Sequence, residues 1–471
     1  MKQIGKKLTS LFAAVLLSGN LAAAMPVNAA DAPLPGDCDL DGQLTVADVC
    51  MLQDIITCRS SVCEQADFNA DGSINGLDLT LLKRAVLYPP IEETPETATV
   101  LVYQCGSNLE SESMQASLDL LEMLSAEISD NIHIVIETGG SKRWFNGVSD
   151  AQHNYRIAFD NENLDTQQVS DKARNMGDSD TLASFISESV AAYPADRYGL
   201  VLWNHGSGPI YGCCADELTD DSLLLPELCE GLEKGGVHFD WIGFDCCVMA
   251  TAEIAFAIRN YADYMVASEE SESQYGWEYS GFLSALSQNM SISTADLVTK
   301  IVDDMVDYNH KMRSPATLSA FDLTKAEPMM QAIYSYVGDV YNTSKSNMWS
   351  VKSARSQCLD YGEGQFDIVD LGDLVQKLQM PHSQDVLNAM NEMVIHSKEY
   401  DVAGATGLAL WFFENFPEDC YYLDYVFGSV GIDKTYINQM TEMAKSQVKP
   451  TWRLQSRDDL AILAMQKQVP I

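Results

Sequence analysis

Residues 198–208 read Tyr-Gly-Leu-Val-Leu-Trp-Asn-His-Gly-Ser-Gly, and residues 241–249 read Trp-Ile-Gly-Phe-Asp-Cys-Cys-Val-Met. Both open on a short, β-rich apolar run and close on side chains with chemistry to offer. Similar runs stand at 99–103, 132–137 and 264–267, and between them apolar residues recur with helical spacing at 114–128, 181–193 and 250–261. Strands that are apolar almost throughout, joined by helical crossovers, predict an α/β fold: a parallel sheet sandwiched by helices on both faces. A later run at 407–413 predicts one more strand. In such a sheet a ligand sits beyond the carboxyl ends of the strands, so the residues after each run are the place to look.

Two of those ends carry His205 and Cys247. A histidine and a cysteine at neighbouring strand ends can act as base and nucleophile. Two-residue alternation puts Asp245 and Cys247 on one face and Cys246 on the other. A helix beginning near Ala250 would turn its N-terminal dipole toward Cys247 and favour the thiolate. The main-chain N–H groups of Gly206 and Cys247 are candidates to hold an oxyanion. On pattern alone, a buried structural thiol with an unrelated histidine explains the same residues equally well.

The 471 residues exceed one ordinary domain. With 46% apolar and 21% charged residues, a large core is available and wholesale disorder is excluded. Against 29 basic residues stand 68 acidic ones, a net charge of −39. Such a polyanion suits neither nucleic acid nor an anionic membrane, and it suits cations: metal ions, or substrates bearing Arg or Lys. Lys2, Lys6 and Lys7, the apolar run 11–17, and small residues up to Ala24 or Ala29 predict an export signal over residues 1–30. The apolar run is too short for a membrane span, which takes about 20 residues, so a secreted protein is expected. Residues 89–97, rich in Pro, Glu and Thr, predict a semi-rigid linker. Cys38, Cys50, Cys58 and Cys63 crowd the region before it, where an exported protein could pair them. The adjacent Cys213-Cys214 and Cys246-Cys247 are poorly placed to bridge within themselves, and Cys213-Cys214 lacks the spacing of a zinc site.

Residues 37–48 read Asp-Cys-Asp-Leu-Asp-Gly-Gln-Leu-Thr-Val-Ala-Asp, and residues 67–78 read Asp-Phe-Asn-Ala-Asp-Gly-Ser-Ile-Asn-Gly-Leu-Asp. Both fit the EF-hand calcium loop, with Asp in place of Glu at the last position. The candidate ligands are Asp37, Asp39, Asp41 and Asp48 with the Gln43 carbonyl, then Asp67, Asn69, Asp71 and Asp78 with the Ser73 carbonyl and Asn75. Each loop leads into an apolar stripe at helical spacing: Val49, Leu52, Ile55 and Ile56, then Leu79, Leu82, Ala85 and Val86. One loop and helix cannot bury such a stripe alone, whereas two can. This tandem without entering helices, over residues 34–88, resembles the dockerin module of cellulosomal proteins. The resemblance implies a small α-helical domain, a calcium ion in each loop, and docking to a cohesin module of a scaffolding protein. In that family Val46-Ala47 and Gly76-Leu77 stand where the partner is chosen, with Gln53-Asp54 and Lys83-Arg84 further along the helices.

Residues 99–110, the His205 motif, residues 243–249, and residues 262–279 with Ser-Glu-Glu and Gly-Trp-Glu-Tyr resemble the clostripain-like cysteine peptidases. Asp-Leu-Gly-Asp at 370–373 and the run 407–413 resemble that family's C-terminal half. The resemblance implies a caspase-like fold over residues 98–471 and a His205–Cys247 dyad. It also places Asp245 in the P1 pocket, for cleavage after Arg or Lys. The family pattern Asp-Ala-Cys-Leu-Met aligns its nucleophile with Cys247, the residue that alternation selects. Glu269, Glu270 and Glu272 are expected to extend the acidic rim. Members of the family often cut themselves after a basic residue between the two motifs. Here that interval holds only Lys234, so a single working chain, or a cut elsewhere, is expected. The expected function is a secreted, cellulosome-bound cysteine endopeptidase. Its rivals are an inactive pseudo-peptidase that serves as a dockerin-borne binding module, and a peptidase of another P1 preference.

Overall fold

A computed structural model of the protein describes residues 35–40, 44–69, 72–87 and 97–448. The export signal, residues 89–96 of the linker, and the candidate ligands Asp41, Gln43 and Asp71 lie outside the described residues. The chain divides into two compact units, Met1–Thr94 and Pro95–Ile471.

In the first unit two helices, Val46–Ile56 and Gly76–Leu87, follow the two loops. The first is started by Thr45, whose side chain accepts from the Ala47 amide while Asp48 reaches back to the Thr45 amide at 2.8 Å, a capping box. Leu52, Ile55 and Leu82 are buried against one another, the packing that the paired stripes require. Cys38 and Cys63 lie with their thiols hydrogen-bonded, whereas Cys50 and Cys58 are exposed.

The second unit is built on a nine-stranded sheet. Its strands in chain order are β1 (Ala98–Cys105), β2 (Ile132–Gly139), β3 (Tyr155–Phe159), β4 (Leu164–Gln168) and β5 (Arg197–Trp203), followed beyond a two-stranded hairpin of β6 (Cys213–Asp216) and β7 (Asp221–Leu223) by β8 (Phe239–Asp245), β9 (Ala262–Ala267), β10 (Ala316–Asp322) and, later, β13 (Val394–Tyr400). The spatial order is β13-β10-β9-β8-β5-β1-β2-β3-β4. The central strands β9, β8, β5, β1 and β2 run parallel, and the flanking strands pair antiparallel. Alternation explains why helices cover both faces. Val100, Val102, Val201 and Trp203 pack with the helices Gln115–Ser125, Tyr279–Gln288 and Thr294–Met312. Leu101, Tyr103, Leu200 and Leu202 pack with Ser179–Ala192, Leu225–Gly235 and Ala252–Ile258 on the opposite side.

The five expected strands are the parallel centre of this sheet. Sequence reasoning missed the antiparallel margins, for a physical reason. At the edges β4 is exposed at every position and β13 is exposed at every second one, so neither carries the apolar run that marks a buried strand. The strand expected at 407–413 does form, as β14 (Ala409–Trp411), but in a separate antiparallel sheet with β11 (Asp360–Tyr361) and β12 (Ile368–Asp370).

Candidate active site

Strands β5 and β8 are parallel neighbours, with Trp203 opposite Asp245 in register. The two chemistry-bearing ends, 204–208 and 245–249, therefore emerge side by side. Asn204 ties them down: its amide donates to the Asp245 carbonyl at 3.2 Å, and its side chain bridges the Cys105 carbonyl at 2.5 Å and the Ala215 amide at 2.8 Å. Gly206 then lies flat against Cys247. A β-carbon on Gly206 would stand 2.0 Å from the Cys247 carbonyl oxygen and 2.9 Å from its nitrogen. Only glycine permits backbones to approach so closely.

Cys246 and Cys247 face different surroundings. The Cys246 thiol donates to the Leu202 carbonyl at 3.2 Å and is hydrogen-bonded to Cys213, inside the packed layer. The Cys247 sulfur accepts the Glu272 amide at 3.2 Å and a further backbone hydrogen bond from Gly206. Asp245 ends β8 on the face of Trp241, and its Oδ2 accepts the Tyr279 hydroxyl at 2.7 Å. Asp245, Cys246, Cys247 and Glu272 line one pocket, and His205 is not among its lining residues.

The His205 ring is buried, and its Nε2 meets Asn108 Oδ1 at 2.7 Å. Among the described residues no hydrogen bond joins the ring to the Cys247 sulfur. Burial lowers the imidazole to about 4 and pushes the thiol up to about 12. Both groups therefore rest neutral at physiological pH. The expected thiolate is not favoured here, because the following helix begins at Ala252, past its Thr251 cap, and the desolvation of a fully enclosed sulfur outweighs the two amides aimed at it. The candidate oxyanion donor Gly206 spends its N–H on that sulfur in the resting structure.

Of the three glutamates after β9, only Glu272 reaches the pocket. Glu269 accepts from the Gly407 amide beside Asp370, and Glu270 accepts from the Gly362 amide at 3.0 Å. Lys234, the one basic residue between the two motifs, sits in the helix Leu225–Gly235 with its ammonium against Asp180 and Glu230. Sequence reasoning missed Asn108 and Asp119. Asn108 stands three residues past β1, where the strand-end rule would have found it. Asp119 lies mid-helix, with no local signal; it enters the pocket with its Oδ2 accepting the Trp203 indole N–H at 2.7 Å.

In the first unit one oxygen from each of Asp37, Asp39 and Asp48 falls within 4.8 Å of the others, a set that fits a hard cation. The backbone amides of Thr45, Asp39 and Cys38 outweigh burial and hold the Asp48 carboxyl below its usual range, so it is charged. In the second loop Asp78 accepts the Asn69 and Asn75 amides, and Asp67 accepts the Gly72 amide at 2.8 Å. Asn75 turns its Oδ1 to the Leu77 amide at 2.8 Å, a helix cap.

Residues 102–411 match the model of the Clostripain family, and residues 35–87 match that of the Dockerin type I domain. Clostripain of Hathewaya histolytica is 27% identical over 310 residues, covering 52% of this chain and 58% of that protein. The chain thus spans little more than half the length of this curated relative. Among solved structures, a secreted cysteine protease from Bacteroides thetaiotaomicron in complex with an irreversible peptide inhibitor superposes with a TM-score of 0.56 at 21% identity, over 71% of this chain and 99% of that one. An inactive zymogen protease from Parabacteroides distasonis superposes at 0.51 with 18% identity, over 71% and 98%. At such identities the likeness is one of fold, and the fold is the one expected from the sequence.

Proposed function

This chain belongs to the clostripain family of cysteine peptidases, and from that premise we propose that it is an exported endopeptidase that cleaves after Arg or Lys and rides on a scaffold through its calcium-loaded N-terminal module. The observation that carries the reading is the shared pocket: a thiol and the carboxyl of Asp245 line one cavity whose walls include no lysine or arginine.

The chemistry is acyl transfer. Asn108 Oδ1 accepts from His205 Nε2–H, which leaves Nδ1 as the basic nitrogen. Because thiol and imidazole both rest neutral, the proton leaves Cys247 for His205 as the sulfur attacks the scissile carbonyl. The negative charge passes to the carbonyl oxygen, where the main-chain N–H groups of Gly206 and Cys247 hold it. His205 then returns the proton to the leaving amine, and water hydrolyses the thioester. Asp245 holds the substrate cation. Fluorogenic peptides that differ only at P1 test this. Arg or Lys is expected to exceed Asn, Asp and Leu by about tenfold or more, since a charge-assisted hydrogen bond is at stake, and Asp245→Asn is expected to erase the difference. Preference for a neutral P1 would move the pocket elsewhere, and no turnover at all would favour the binding-module reading.

For the N-terminal module, Asp37, Asp39 and Asp48 would hold the ion of the first loop, and Asp67, Asn69 and Asp78 that of the second. The ion neutralises carboxylates that otherwise repel, so that the loops can close on the helices. Val46 and Leu77, at the positions that choose a partner in dockerins, are exposed, as a cohesin-docking surface requires. Treating the full chain with a chelator is expected to open residues 35–87 to limited proteolysis, with protection restored by added calcium. A cleavage pattern indifferent to calcium would count against the assignment.

A further inference from the structure

The pocket holds more acid than one substrate cation and one Asp245 account for. Asp119, Asp245 and Glu272 all line it, all are more than nine-tenths buried, and none pairs with a lysine or arginine among the described residues. They come from three separate elements: the helix Gln115–Ser125, the end of β8, and the segment after β9. Buried carboxyls without a cation are costly, and proteins seldom keep several together unless a ligand completes them.

Each carboxyl is held at one oxygen by an aromatic donor. The Trp203 indole donates to Asp119 Oδ2 at 2.7 Å, the Tyr279 hydroxyl to Asp245 Oδ2 at 2.7 Å, and the Trp277 indole to Glu272 Oε1 at 3.5 Å. Glu272 Oε2 is buried and accepts from no donor. Asp245 and Glu272 are also hydrogen-bonded to each other, carboxyl to carboxyl. Burial and mutual repulsion raise Asp119 and Glu272 well above the ordinary carboxyl range, and burial raises Asp245 as well. Gly276 supplies the room between them. A methyl group placed on it would lie 3.4 and 3.5 Å from the Asp245 oxygens and 3.7 Å from Asp119 Oδ2, so its missing side chain leaves a space that both carboxyls border.

Resting on the reading of this pocket as the seat of the substrate cation, we propose that Asp119 is a specificity-determining residue that closes a three-carboxylate cradle with Asp245 and Glu272, and that the cradle selects a primary ammonium, making Lys the preferred P1 residue over Arg. The reason is geometric. A guanidinium binds best to both oxygens of one carboxylate, side by side in a plane. Here no carboxyl offers both oxygens: each has one taken by an aromatic donor, and Asp245 is bonded besides to the Trp277 amide and the Glu272 carboxyl. An ammonium is a compact charge with three donors splayed about one axis, and it fits that arrangement.

The test uses the full chain and three fluorogenic peptides, identical but for Lys, Arg or norleucine at P1. The wild type is expected to favour Lys. Asp119→Asn keeps the size and can still accept from Trp203. It is expected to lower kcat/KM for Lys by about tenfold or more, to lower Arg less, and to leave norleucine unchanged, so that the Lys/Arg ratio collapses. Trp203→Phe, which frees Asp119 from its donor, is expected to shift the ratio in the same direction, and the melting temperature of each variant reports whether the fold survives. A wild type that prefers Arg, a ratio unmoved by both variants, or an equal fall on all three peptides would overturn the cradle. If Asp245→Asn abolishes basic cleavage while Asp119→Asn is silent, the cradle fails and the pocket assignment stands. If norleucine is the best substrate of the wild type, both fall.

Discussion

Cys247→Ala is expected to lower kcat/KM by on the order of 10⁴-fold or more, while Cys246→Ala keeps most of the activity and loses stability instead. Removing a nucleophile leaves only binding and oxyanion stabilisation to speed the reaction, which is why the effect is so large. The two adjacent sulfurs differ in what surrounds them. Both residues border the pocket with Asp245, but the Cys247 sulfur receives the Glu272 and Gly206 amides, donors that stabilise a sulfur as it gains charge. Cys246 gives its proton to the Leu202 carbonyl at 3.2 Å and leans on Cys213, a setting that keeps a thiol inert. Its truncation removes one buried sulfur and costs about 1–2 kcal/mol, read as a lower melting temperature. Steady-state rates on a basic P1 peptide, with a melt of each variant, separate the two. Activity that disappears with Cys246 and persists without Cys247 would reverse the assignment.

The second large effect is expected at a residue with no side chain. Gly206→Ala would place a methyl carbon 2.0 Å from the Cys247 carbonyl oxygen, an overlap with backbone that no rotamer change relieves. The loops after β5 and β8 must then part, and the Gly206 N–H leaves the sulfur. Activity is expected to fall on the order of 100-fold or more, since a displacement of about 1 Å between reacting groups has that effect. Stability is expected to fall by about 1–3 kcal/mol, as for other overpacked sites. Gly338→Ala is the control. It lies within the helix Ala326–Arg355, where an added methyl meets only Gln439 Nε2 at 3.9 Å, so the change is expected to be neutral or to stabilise by up to about 1 kcal/mol. If Gly206→Ala behaves like Gly338→Ala, the close approach of the two loops does not matter to the reaction.

Much of this molecule was legible before any coordinates, and the legible part has a common cause. A strand buried on both faces must be apolar along its length, so the five central strands announced themselves, and with them the ends where His205, Asp245 and Cys247 stand. The same holds for the loops 37–48 and 67–78, whose EF-hand-like pattern lies within a dozen consecutive residues because a hard cation, if bound, must be met by oxygens at fixed positions. Edge strands β4 and β13 answer to no such demand, since β4 is exposed along its whole length and β13 along one side, and neither carries a continuous apolar run.

Local sequence thus determined the elements, their order, and the residues standing at the strand ends, because each of these depends on neighbours a few positions away. The tertiary structure decided how those residues stand: that His205 and Cys247 both rest uncharged, that Asn108 takes the imidazole's Nε2, and that Asp119 reaches from the helix Gln115–Ser125 to face Asp245. Charge state and pocket membership are set by what lies within a few ångströms in space, and the groups that matter here come from the segments after β1, β5 and β9, the end of β8 and the helix Gln115–Ser125, which only folding brings together.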